Sequence, residues 1–155
     1  MSGVKVKPVI VIGIGNVLMQ DEGIGCKLIE ELEKHSEKLP DVELMDAGLA
    51  GLSVVHYLEG RKKAVFLDCA DMKTPPGTIK KFSPGDVDSI KTLPKQPHEA
   101  DLMKILKICK FLEKSPEEII IFGIQPQKVQ AGQNLTSTLK DKIQDYVSEI
   151  LKELN

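Results

Sequence analysis

The chain has 155 residues, 41% apolar and 28% charged, with 21 Lys and Arg against 23 Asp and Glu for a net charge of -2. One domain, 1–155, is expected, with a core that buries roughly two thirds of the unfolded surface; the composition excludes disorder and collagen-like structure, and the even charge excludes nucleic acid or an anionic membrane as partners. The three cysteines are odd in number without a C-x-x-C spacing, and no apolar run suits a bilayer span or a cleavable leader, so a soluble, unprocessed cytoplasmic protein is expected.

Aromatic residues make up 4% and Trp is absent, so the core must be aliphatic. The run PVIVIGIG, from Pro8 to Gly15, is a continuous apolar run rich in β-branched residues and predicts a strand buried on both faces. After the acidic pair Asp21 and Glu22, the spacing of Ile24, Leu28, Ile29 and Leu32 predicts a helix that Pro40 closes off. Val42 to Met45 gives a short second strand, Leu49 to Leu58 a short helix ended by Gly60, and KKAVFLDCA a further buried strand ending at Asp68. Prolines and glycines punctuate Thr74 to Gln96, leaving TIKKF as a short edge strand in the stretch best suited to a functional loop. Leu102, Ile105, Leu106, Cys109 and Leu112 mark another helix, and EIIIFGI another buried strand. A helical stripe from Leu139 to Leu154 predicts one helix from Thr138 to the end. Strands alternating with helices imply an α/β sheet covered on both faces.

Two features could carry chemistry. The glycines of GIGNVL start like a dinucleotide-binding turn, but Leu18 stands where G-x-G-x-x-G needs its third glycine. Asp21 and Glu22 would also compete with a pyrophosphate for the positive end of the helix, so a tight strand-to-helix turn is the simpler account.

The second feature is a set of metal-type donors. Open α/β sheets build their sites outside the carboxyl ends of the strands. Glu22 follows the first strand there, Asp68 ends the KKAVFLD strand at the same edge, and His98 sits in the irregular segment just before a helix. One histidine with two carboxylates suits a borderline divalent first-row metal with open coordination positions. No local spacing links the three, and the H-E-x-x-H reading from His98 fails at Leu102. Each also has a plainer role: Glu22 complementing the helix dipole with Asp21 as N-cap, Asp68 in a cap or turn, His98 idle in a loop. His35 and His56 are less suited. Cys69 adjoins Asp68, but strand alternation turns it to the opposite face as a small core residue.

The run GIGNVLMQDEGIGCKLIEEL closely resembles the N-terminal signature of the hydrogenase maturation endopeptidases, which trim the C-terminal peptide from the large subunit of nickel-iron hydrogenases. DAGLAG from Asp46, FLDCAD, PPGT, Pro97-His98, FGIQP from Phe122 and Leu135-Thr136 follow in the family's order, so the resemblance spans essentially the whole chain. It implies a three-layer fold: a twisted, mostly parallel five-stranded sheet flanked by helices, with TIKKF as an antiparallel edge strand. It also implies Glu22, Asp68 and His98 as metal ligands, and Asp46 as a catalytic residue beside Glu22 and Asp68. Ala47 and Leu49 stand in the stretch where the family turn ends in a threonine, so no threonine role carries over.

The implied ion is nickel carried in by the substrate, with other divalent metals substituting in the free protein. The implied partner is the hydrogenase large-subunit precursor, and the protease is expected to be a monomer. Its reaction would be metal-assisted peptide hydrolysis. The competing readings are a non-catalytic binder that checks metal loading of the precursor, and a nucleotide-binding domain. No Ser or Cys sits in a nucleophile elbow, which disfavours a covalent mechanism.

Overall fold

A computed structural model of the chain describes residues 5–86 and 97–155, with 97–101 as backbone only. The chain runs β1 (Val9–Ile14), a 3-10 turn (Gln20–Gly23), α1 (Ile24–Glu33) and β2 (Val42–Gly48). A short 3-10 turn (Ser36–Lys38) separates α1 from β2, and another (Gly51–Val54) leads into α2 (Val55–Leu58), followed by β3 (Lys63–Cys69), β4 (Ile79–Phe82), α3 (Pro97–Phe111), β5 (Glu118–Ile124), α4 (Ser137–Lys140) and α5 (Ile143–Leu154). The strands form one sheet in the order β2-β1-β3-β5-β4. All neighbours are parallel except β4, which pairs antiparallel with β5 from Ile79 opposite Ile124 to Phe82 opposite Ile121. The α/β architecture with TIKKF as an antiparallel edge strand is as expected.

Strand alternation divides the core into two layers. On one face Val11, Val65, Leu67, Cys69, Phe122 and Ile124 pack with residues of α1 and α5, including Leu28, Leu32, Tyr146 and Ile150. On the other, Ile10, Ile12, Ala64, Phe66 and Ile121 meet Val55 and Leu58 of α2 and Leu102, Ile105 and Cys109 of α3. Cys69 therefore faces the core, opposite Asp68, as alternation predicts. Among the described residues no helix is long and apolar enough to cross a membrane.

Four details depart from the sequence reading. β2 continues past Met45 to Gly48, through a register shift against β1 between Gly13 and Ile14. The Leu49–Leu58 helix is a 3-10 turn running into a four-residue α2. The last helix is two, because a 3-10-type bond from Lys142 N to Leu139 O separates α4 from α5. Finally, α3 begins at Pro97, whose fixed φ and missing N–H suit the first helical position, so His98 lies inside the helix and not in the loop before it.

Candidate functional site

The sheet order defines where a site can form. From β1 the chain moves outward to β2, then crosses back to β3 on the other side of β1, so the crevice opens at the carboxyl ends of β1 and β3. Tight backbone packing builds this edge. Gly15 has φ +145, and a Cβ there would lie 1.9 Å from the Glu22 carbonyl oxygen. A Cβ on Gly25 would lie 2.3 Å from the carbonyl oxygen of Leu67, the residue before Asp68. These glycines let the start of α1 sit directly on the ends of β1 and β3. Backbone approach explains them without a phosphate.

Two of the expected donors come to this edge as buried carboxylates. Glu22 is 3% exposed and Asp68 4% exposed. Glu22 lies in the Gln20–Gly23 turn, which packs against β3, and loss of hydration raises its carboxyl above the usual range. Asp68 Oδ1 accepts a hydrogen bond from Cys69 N at 2.8 Å. Asp46, in β2 opposite Gly13, stands where the register slips; its Oδ1 accepts from Gly48 N at 3.1 Å, and a bulge here re-aims the strand end.

Cys26 lies among these carboxylates. Burial, then the hydrogen bond and negative charge of Asp46, with the charge of Asp68 adding to them, pushes its thiol up to about 12. Its Sγ donates to Gly15 O at 3.7 Å. The group is held as a thiol, the opposite of an activated nucleophile.

His98 lies at the second position of α3. Ile105 of α3 borders a small cavity together with Ile14, Ala47 and Gly48, and His98 lies about two turns earlier along that helix. The side chain of His98 lies outside the described residues. Among those described, no three His, Cys, Asp or Glu side chains are grouped to hold a metal ion; of the three expected ligands, those described at the edge are Glu22 and Asp68. Both are hard ligands that fit a divalent cation. His35 follows α1 and His56 sits exposed in α2.

Sequence reasoning missed what surrounds the carboxylates. Asp21 is not the N-cap of a helix: it lies within the 3-10 turn, is fully buried, and accepts bonds from Gln127 N, Lys128 N, Thr136 N and Thr136 Oγ1. An acid directly before a helix reads locally as a cap, and its true partners lie more than a hundred positions away. Gln125 braces the loop after β3 in a similar way, accepting from Met72 N at 2.6 Å and donating to Asp71 at 3.2 Å. A groove of about 610 Å³ opens beside the carboxylates, lined by Asp46, Cys26, Gly23 and Gln20 on one side and by Gln133 and Asn134 on the other. Val17 and Leu18 after β1, and Leu49 and Leu52 after β2, are about half exposed around the same strand ends.

Fold and site together define an α/β protein whose buried carboxylates gather at a topological switch point. The chain belongs to the hydrogenase maturation protease family, whose model matches residues 26–153. It is 29% identical over 148 residues to the hydrogenase 2 maturation protease of Escherichia coli, covering 94% of this chain and 90% of that protein. It is also 29% identical over 143 residues to the hydrogenase expression/formation protein HoxM of Cupriavidus necator, covering 91% of this chain and 71% of that one. Among solved structures, the hydrogenase maturating endopeptidase HybD from E. coli superposes with a TM-score of 0.84 at 26% identity, over 94% of this chain and 91% of that one.

Proposed function

We propose that this protein is the endopeptidase that removes the C-terminal peptide from the precursor of a nickel-iron hydrogenase large subunit once nickel has been inserted. The observation that carries the reading is the pair of buried carboxylates, Glu22 and Asp68, brought from separate elements to the carboxyl ends of β1 and β3. Family membership supplies the substrate class. The groove beside Asp46 and the half-exposed apolar residues around the strand ends suit a protein substrate that lays a segment across this edge.

In this reading nickel arrives as part of the substrate, and Glu22, Asp68 and His98 complete its coordination when the precursor docks. The bound ion supplies Lewis acidity toward the scissile carbonyl. Asp46 lines the groove, where its carboxylate would accept a proton from the attacking water and return it to the leaving amine. One histidine and two carboxylates leave coordination positions open for the groups that a loaded precursor brings with its ion. The enzyme acts as a monomer in the cytoplasm, where the precursor is assembled.

Glu22→Gln and His98→Ala are expected to fold with parental circular dichroism yet fail to shorten nickel-loaded precursor. Cleavage by either variant at the parental rate would remove that residue from the ligand set.

A further inference from the structure

The Gln20–Gly23 turn that carries Glu22 has little of its own to hold it in place. It spans four residues, lacks a side-chain cap, and includes Gln20 at φ 49, a left-handed conformation that is costly for a residue with a Cβ. Besides its packing on β3 and a bond from Glu22 N to Met19 O at 3.2 Å, the turn is fixed by the segment from Gln127 to Thr136. Gln20 N donates to Gly132 O at 3.0 Å, Gly132 N donates to Leu18 O at 2.9 Å, and Asp21 N donates to Lys128 O at 3.3 Å.

Asp21 closes this arrangement with its side chain. Its Oδ2 accepts from Gln127 N at 2.9 Å and Lys128 N at 3.0 Å. Its Oδ1 accepts from Thr136 N at 2.8 Å, and the Thr136 hydroxyl reaches both oxygens, at 3.0 and 2.8 Å. A fully buried carboxylate is tolerated only when its lone pairs are filled, and here donors from both ends of the 127–136 segment fill them. Thr136 pays a local cost for this arrangement: it stands at the N-cap of α4, yet its hydroxyl makes no capping bond because it serves Asp21.

We infer that Asp21, with Thr136 as its partner, is a positioning residue for catalysis: it locks the turn that presents Glu22 onto the 127–136 segment, so that the neighbouring carboxylate is held at the strand ends before substrate arrives. The inference rests on the reading of Glu22 as a site carboxylate. The geometry favours positioning over plain scaffolding because Asp21 and Glu22 are adjacent in a turn too short to absorb slack. A shift of the Asp21 anchor therefore becomes a shift of Glu22, and supporting residues of this kind typically change activity by about 10- to 100-fold.

The test compares Thr136→Val and Thr136→Ala, which remove the hydroxyl while keeping the backbone donor, with Thr136→Ser, which restores it. Each is assayed on purified nickel-loaded precursor over a range of precursor concentrations, well below its melting temperature, with Glu22→Gln alongside. The expected result is a maximal cleavage rate about 10-fold lower for Val and Ala, a half-saturating concentration within about twofold of parental, and recovery by Ser. Parental maximal rates for Val and Ala beside an inactive Glu22→Gln would overturn the positioning role and leave the Glu22 reading intact. A loss confined to the half-saturating concentration would overturn it as well, since that would place the effect in the groove wall. Parental cleavage by Glu22→Gln itself would overturn both.

Discussion

Cys26 shows how the chemistry of this edge is set by what surrounds each group. A thiol beside carboxylates in a cleft is an obvious candidate nucleophile, yet burial and the negative charge of Asp46 and Asp68 push it up to about 12. At that value only about one molecule in 10⁵ carries a thiolate near neutral pH. Iodoacetamide at pH 7.5 should therefore label Cys26 slowly in the native protein and fast only after unfolding, as followed by peptide mass spectrometry. Rapid native labelling would reopen a thiol mechanism. The same neighbours could not be read from the sequence, where Cys26 is one more apolar position of a helix. Glu22 and Asp68 were legible because both follow apolar runs that read as buried strands, Val9–Ile14 and Ala64–Leu67. Asp46 came to notice through resemblance alone, since the register shift that sets it lies in a strand end of Asp, Ala and Gly with no pattern of its own.

At the scale of elements, ion pairs join α5 to the sheet. Glu153 meets Lys63 of β3 at 2.5 Å and Lys81 of β4 at 2.9 Å, and the two ammonium groups, Lys63 first, hold its carboxyl below the usual 4.5. A carboxyl lowered in the folded state stabilises above its unfolded pKa, and that contribution disappears as pH falls through the folded value. Glu153→Gln should thus lower stability by about 0.5–1 kcal/mol at pH 7, allowing for solvent screening, with the difference from the parent shrinking at a pH below the carboxyl's lowered folded value. Urea titrations at the two pH values would check this, and an equal loss at both would assign the effect to packing. The three inner strands, β1, β3 and β5, were legible because strands buried on both faces read as unbroken apolar runs. The break between α4 and α5 was not, because Leu139 and Ile143 both face the core and keep the apolar stripe continuous across it.

At the scale of the molecule, a nearly neutral, aliphatic α/β domain has gathered its chemistry at one edge of its sheet. Gly15 and Gly25 let backbones meet there, the 127–136 segment braces the turn bearing Glu22, and the groove beside Asp46 leaves space for a substrate segment. The glycine string that resembles a nucleotide turn belongs to this close packing. We propose that these parts cut a precursor only after its metal is in place. The most direct measurement is intact-mass spectrometry of purified large-subunit precursor, nickel-loaded and nickel-free, incubated with the purified protein. The account predicts loss of the C-terminal peptide from the loaded precursor alone. An unchanged mass for the loaded form would mark a binder and not a protease, and equal shortening of both forms would contradict the role assigned to nickel.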